Sequence, residues 1–121
     1  MFDDRSPIYQ QIADKIKDDI VKGELREDDQ IMSTNQYASF YRINPATAAK
    51  GFQQLIEEGI LYKKRGIGMF VSAEAPTTLR RHRRERFFEE VVDAMVTEAR
   101  TIGIPLADVI KRIADAGGDA T

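Results

Sequence analysis

The chain has 121 residues, of which 42% are hydrophobic and 31% charged, with a formal net charge of −2. That length leaves no room for an α/β barrel or a large two-domain enzyme, and the composition is that of a globular chain rather than a disordered or fibrous one. With no cysteine there is no disulfide, no thiolate metal site and no cysteine nucleophile, which fits a reducing cytoplasm. A net negative charge speaks mildly against a nucleic-acid partner unless the basic residues are gathered on one face.

The start, Met1-Phe2-Asp3-Asp4, is acidic and lacks the apolar stretch of a signal peptide. Apolar runs everywhere fall far short of the roughly 20 residues that span a bilayer. A cytoplasmic chain with no membrane partner is expected. From Pro7 to Lys22, Ile8, Ile12, Ile16 and Ile20 recur every fourth residue opposite a charged face, which predicts an amphipathic helix. Ser6 is expected as its N-cap, Pro7 as its first residue and Gly23 as its stop. Gln30-Ile31-Met32 could form a brief strand. Ser33-Thr34-Asn35-Gln36 is a capping box opening a two-turn helix to about Phe40. After a turn through Tyr41-Arg42-Ile43, Asn44-Pro45 opens another helix, with Ala48, Phe52, Leu55 and Ile56 as its buried stripe and Gly59 as its end.

Two helices joined by about three residues form a helix-turn-helix pattern. The free face of the second carries Ala46, Ala49, Lys50 and Gln53, with Thr47 near the tip. Small alanines keep that face slim enough for a major groove about 12 Å wide, and Asn44, Thr47, Lys50 and Gln53 offer donors and acceptors for base edges or phosphates. An ordinary solvated helix face would have the same composition. Then the period changes: Ile60 to Lys64 and Met69 to Val71 are β-prone runs around Arg65-Gly66-Ile67-Gly68, which predicts a hairpin whose glycines permit positive φ at the turn. Lys63, Lys64 and Arg65 make it basic. A basic hairpin after a helix-turn-helix is a winged helix, with the wing reaching phosphates or an adjacent minor groove. A solubilising sheet edge would also carry such charges.

Ala73-Glu74-Ala75-Pro76 reads as a linker, and Thr77 to about Ile102 as one long helix with the stripe Phe88, Val91, Val92, Met95, Val96, Ala99 and Ile102. Pro105 starts a last helix with Leu106, Val109, Ile110 and Ile113 on one side, and Gly117-Gly118 with the small polar end should fray. This much apolar face asks for cover by a second copy of the chain, although the helices could instead fold back on their own winged helix.

Catalysis finds no constellation. The one histidine, His82, lies among Arg80, Arg81, Arg83, Arg84 and Arg86, with no companion for a metal. The carboxylates lie on helix faces suited to i,i+4 pairing. Gly66-x-Gly68 lacks the Lys-Ser/Thr of a phosphate loop. No enzyme, metal or cofactor is expected. The arginine cluster, placed in the first turns of its helix, would oppose the macrodipole. It suits DNA phosphates, acids of another subunit or plain solvent.

Pro7-Ile8-Tyr9-Gln10-Gln11-Ile12, Gly23-Glu24-Leu25, Ser33, Asn44-Pro45-Ala46-Thr47-Ala48-Ala49-Lys50, Leu55-Ile56-Glu57-Glu58-Gly59 and Arg65-Gly66-Ile67-Gly68-Met69-Phe70-Val71 together resemble the winged-helix domain of GntR-family bacterial transcription regulators. The resemblance spans about residues 5–72, and the Asn-Pro-x-Thr helix start with a short C-terminal region is similar to the YtrA-type subfamily. It implies a mainly α fold with a small β-hairpin: a winged helix-turn-helix DNA-binding domain (1–75) and a two-helix dimerisation arm (76–121).

The function implied is a homodimeric regulator, expected to repress, that binds a palindromic double-stranded operator through Ser33, Thr34, Asn35, Asn44, Pro45, Ala46, Thr47 and Lys50, with Lys64, Arg65, Gly66 and Gly68 in the wing. Dimerisation would use Phe88, Val91, Val92, Met95, Val96, Ala99, Leu106, Val109, Ile110 and Ile113. No residue set points to a small effector, which the sequence leaves open. The alternative is a winged helix serving as a protein–protein module. Two positions depart from the family: Asn35 stands where relatives carry an arginine that commonly contacts DNA, and Arg42 replaces a turn glycine, at about 1 kcal/mol if the backbone there is left-handed. Between Arg42 and Arg65 five bases face only Glu57 and Glu58, so the acidic average hides a narrow basic surface whose DNA binding should weaken quickly with salt.

Overall fold

The computed structural model describes residues 2–118. They form two compact units, one reaching to Arg81 and the other beginning at His82. Of the end expected to fray, Gly117 still belongs to the last helix and Gly118 caps it, while 119–121, the last residues of the proposed arm, lie outside the described residues.

In the first unit, helix α1 (Ile8–Lys22) buries Ile12, Ala13, Ile16 and Ile20 and stops at Gly23. Its start differs from the expectation by one residue: Pro7 is itself the N-cap, in an extended conformation and without a side-chain cap. The reason lies just upstream, where the Gln11 amide donates to the carbonyls of Asp3 and Ser6, both at 2.7 Å, and its oxygen accepts from the Asp3 N–H at 3.0 Å. Gln11 therefore folds the residues before Pro7 back over the first turn. Arg5 donates to the Asp3 carboxylate beside it, which holds that acid below its ordinary range.

Helices α2 (Thr34–Tyr41) and α3 (Pro45–Glu57) follow, joined by Arg42, Ile43 and Asn44. The capping box is complete at Ser33, and Asn44 caps α3 through its side-chain oxygen. Strands β1 (Leu61–Lys64) and β2 (Gly68–Val71) pair antiparallel, with Leu61 opposite Val71 and Lys64 opposite Gly68. The expected brief strand is a bridge between Gln30 and Phe70, with backbone bonds between Ile31 and Met69 and between Val71 and Asp29. Helix α4 (Ala75–Arg86) begins two residues earlier than expected. The stretch read as a linker holds its first turn, because proline is tolerated there and Ala75 is small enough to be buried at 2% exposure. Leu79 joins it in the core, so the opening of α4 belongs to the winged helix.

That core gathers the isoleucines of α1, Tyr37 and Ala38 of α2, Ala48, Phe52 and Leu55 of α3, and Leu61, Met69 and Val71 of the hairpin. Helices α1 and α3 approach closely. Gly51 is buried, and a Cβ built on it would lie 2.9 Å from the Tyr9 carbonyl oxygen and 3.2 Å from the Ile12 Cβ. Glycine here serves space rather than a turn. Lys17 to Glu58 at 2.8 Å and Gln54 to Gln10 at 3.3 Å tie the same two helices from the outside.

The second unit departs more from its expectation. Between α4 and α5 (Asp93–Thr101), residues Phe87–Val92 are π-helical rather than α-helical. Six residues are too few for a periodicity of 3.6 to be told from a wider turn, so the apolar spacing could not reveal it. Helix α6 (Leu106–Gly117) has Pro105 as N-cap and packs on α5. The expected stripe is divided: Ala99 is buried, Val92, Met95, Val96, Leu106 and Val109 are half-buried, and Phe88, Val91, Ile110 and Ile113 are exposed. Phe87, Ile102 and Ile104 add to the exposed apolar surface.

Two stability tests follow from this packing. In an exposed helix Gly→Ala is worth about 0.5–1 kcal/mol of stabilisation; at Gly51 the sign reverses, and Gly51→Ala is expected to lose about 1–3 kcal/mol in urea unfolding through overpacking of α1 on α3. Tyr37 lies between Tyr41, whose ring is tilted against it at a centroid distance of 4.4 Å, and Phe52, which meets it edge to face at 5.2 Å, and its buried hydroxyl has no hydrogen-bond partner among the described residues. Tyr37→Phe is expected to keep or raise stability at neutral pH, by up to about 1–3 kcal/mol. Burial pushes the Tyr37 phenol well above its ordinary value of 10.0. Its contribution is therefore fully present below that value and lost as pH rises past it, so stability measured by circular dichroism should fall less steeply in the variant at alkaline pH.

Candidate nucleic-acid interface

The N-terminal half of α3 is presented as the free face expected from its sequence. Ala46, Ala49, Lys50 and Gln53 are exposed, Thr47 is half-buried, and Ala48, Phe52 and Leu55 face the core. Asn44 and Pro45 are exposed at the helix start. The Asn44 Oδ1 accepts from the Ala46 N–H at 2.7 Å, so the cap uses one lone pair of this oxygen and leaves the NH₂ as the donor of this side chain. The N–H groups of such a helix start favour anions.

At the start of α2, Ser33 and Asn35 are exposed and Thr34 is half-buried. The Ser33 Oγ accepts from the Gln36 N–H at 3.2 Å, while the Gln36 side chain accepts from the Ser33 N–H at 3.0 Å. A hydroxyl that accepts through a lone pair still has its proton to donate. Between the two helices Arg42 sits in the left-handed region at φ 55° and ψ 50°, where its N–H closes on the end of α2. An arginine thus occupies a left-handed conformation that favours glycine, and its side chain is exposed beside the start of α3.

The wing is basic and firmly built. Lys63, Lys64 and Arg65 are exposed, and the Ile67 N–H closes the tip on the Lys64 carbonyl at 2.9 Å. Tyr62 and Phe70 stack across the strands at 5.6 Å, and the Lys64 ammonium lies 4.9 Å above the Phe70 ring. The Tyr62 hydroxyl donates to Asp28 at 2.7 Å, which raises its pKa above the usual phenol value. At Gly68 a Cβ would meet the Gln30 Nε2 at 2.5 Å, and that nitrogen donates to the Ile67 carbonyl at 3.1 Å. The glycine makes room for a side chain that clasps the tip.

The interface residues named from the sequence thus all lie in the first unit: at the start of α2, along α3 and at the hairpin tip. Three residues that support them went unnoticed as such. Tyr9 lies beneath Lys50, whose ammonium is 4.0 Å from the ring centroid; Gly51 brings α1 close to α3, and Gln30 holds the wing. Of these three only Tyr9 carried a sequence signal, as a member of a quoted motif.

The arginine cluster is placed differently from the expectation. Because the helix begins at Ala75, Arg80 to Arg86 lie beyond its first turn, where the macrodipole argument no longer applies. Arg80 donates through Nε and a terminal nitrogen to the Val21 carbonyl, at 3.2 and 3.1 Å, capping the end of α1. Arg84 lies 5.6 Å from the Phe88 ring centroid, and Arg86 is 3.6 Å from Glu90. Among the described residues no group of three His, Cys, Asp or Glu could hold a metal ion, and no helix is long and apolar enough to cross a membrane.

Comparison with known proteins agrees with this geometry. Residues 8–71 match the family described as bacterial regulatory proteins, gntR family. The HTH-type transcriptional repressor YtrA of Bacillus subtilis is 30% identical over 114 residues, covering 94% of this chain and 87% of YtrA. A GntR family transcriptional regulator from Listeria monocytogenes superposes with a TM-score of 0.73 at 26% identity, over 94% of this chain and 98% of that one. The DNA-binding domain of AraR in complex with operator ORX1 superposes with a TM-score of 0.55 at 26% identity, over 60% of this chain and 93% of that one.

The turn supplies a test. Arg42→Gly relieves the left-handed strain and is expected to raise stability by about 1 kcal/mol in thermal or urea unfolding. If the strain is retained for DNA contact, the same variant binds DNA more weakly although it is more stable, which electrophoretic mobility shift would show.

Proposed function

The chain belongs to the gntR family of bacterial regulatory proteins, and on that premise we propose that it is a homodimeric, sequence-specific DNA-binding repressor of transcription. Helix α3 of each copy lies in the major groove of one half-site of a palindromic operator, and the wing lies at the adjacent minor groove or its phosphates. The observation that carries this reading is the exposed face of α3, slim at Ala46 and Ala49 and furnished with Lys50 and Gln53. Asn44, Pro45 and Thr47 at the helix start, Ser33, Thr34 and Asn35 at the start of α2, and Lys64, Arg65, Gly66 and Gly68 in the wing complete the DNA surface. The operator complex of the AraR domain and the repressor names of the relatives support the same reading.

The winged helix, which takes in the opening of α4 as far as Arg81 rather than stopping at residue 75, serves DNA, and the helices beyond it serve pairing. Support for pairing comes from Phe88, Val91, Ile110 and Ile113, each about half exposed or more, where a single copy leaves the apolar face uncovered. Isologous pairing of two such arms would present two copies of α3 to an inverted repeat.

Selection from a random duplex library with the purified protein tests this. Enrichment of an inverted repeat is expected, and its affinity should fall by orders of magnitude between about 50 and 200 mM salt if several phosphates are neutralised. Val91→Arg combined with Ile110→Arg should give a monomer by sedimentation and lose preference for the full repeat over a half-site. Failure to enrich any repeat would overturn the reading.

A further inference from the structure

We infer that Tyr9 is a positioning residue for DNA recognition: its ring holds the Lys50 ammonium in place above the first turn of α1 without neutralising it. This rests on the reading of Lys50 as a DNA contact and adds a residue on a different helix to it.

The geometry has three parts. Gly51 lets the α1 backbone come so close to α3 that even a Cβ would strike the Tyr9 carbonyl. That approach places the Tyr9 ring under the residue preceding Gly51, and the Lys50 Nζ sits 4.0 Å from its centroid. Finally, Lys50 forms no ion pair among the described residues, in contrast to Lys15, Lys17, Lys22 and Lys111, each of which lies against a carboxylate.

The difference between a ring and a carboxylate decides what the lysine can do. A carboxylate would orient the ammonium and also cancel its charge, so DNA would have to displace it. The negative face of an aromatic ring orients the ammonium while leaving its full charge and its N–H donors for phosphate oxygens or the acceptors of a guanine edge. A lysine side chain is otherwise rich in rotamers, and ordering it before binding removes part of the entropy lost on association. Tyr9 therefore acts through Lys50 rather than by touching DNA, and its phenol hydroxyl is dispensable.

The duplex selected by the wild-type protein and a scrambled duplex of the same length provide the test, with Tyr9→Leu, Tyr9→Phe, Lys50→Ala and the Tyr9→Leu/Lys50→Ala double variant, each checked as folded by circular dichroism. Tyr9→Leu should bind the selected duplex about two- to five-fold more weakly, with a smaller effect on the scrambled one. Tyr9→Phe should bind as wild type. In the Lys50→Ala background the Tyr9→Leu effect should vanish. In the protein without DNA, the Lys50 ε-methylene protons should be shifted upfield by the ring, the shift being kept in Tyr9→Phe and lost in Tyr9→Leu. A Tyr9→Phe variant as weak as Tyr9→Leu, a loss that persists without Lys50, or an absent ring shift would overturn the inference. If Lys50→Ala weakens binding and Tyr9→Leu does not, the inference falls and the role of Lys50 stands. If Lys50→Ala binds as wild type, the role of Lys50 falls and that of Tyr9 with it.

Discussion

Helices α1 and α3 cross where there is no space for a side chain, and the shape of the winged helix follows from that contact. With Gly51 against the Tyr9 carbonyl, the isoleucine row of α1 reaches Phe52 and Leu55 on one side of the crossing. On the outer side, Lys17 meets Glu58 and Gln10 meets Gln54. Helix α3 is thereby fixed in roll as well as position, and its small-residue face is turned to solvent. Interiors this dense transmit displacement rather than absorb it, so the exposed face and the buried glycine are one constraint seen from two sides.

Around that crossing the polar groups are arranged to end elements cleanly. Ser33 and Asn44 satisfy N–H groups at helix starts, and Arg80 satisfies a carbonyl at the end of α1. The Arg80 contact also fastens the opening of α4 to the same body, beside the burial of Ala75 and Leu79. A basic residue that reads from sequence as an excess charge turns out to be a cap contributed from 59 residues along the chain.

What was legible in the sequence was what a few neighbouring residues decide. The capping box at Ser33 and Gln36, the Asn44-Pro45 start, the Gly23 stop and the glycine-rich hairpin tip each depend on local backbone chemistry, and each appears where expected. The wing and the slim face of α3 were legible for the same reason, since periodicity separates buried from free positions. Features that depend on distant partners were not. Pro7 caps α1 because Gln11 folds the preceding residues back; Ala75 begins a helix because the core has room for it. The π-helical stretch at Phe87–Val92 leaves no trace in a hydrophobic stripe. Lys50 could be named as a free lysine, but that a tyrosine some forty residues earlier lies beneath it depends on the crossing at Gly51.

The clasp of Gln30 on the Ile67 carbonyl gives the wing a chemical dependence of its own. A backbone carbonyl can only accept, so the partner has to donate, and an amide nitrogen is the only donor a glutamine has. Hydrolysis of that amide to a carboxylate changes almost nothing in size yet sets two acceptors against each other beside Gly68. A glutamate at this position would therefore lose the clasp on the wing tip, while the turn bond from the Ile67 N–H to the Lys64 carbonyl and the hydrophobic core stay as they are.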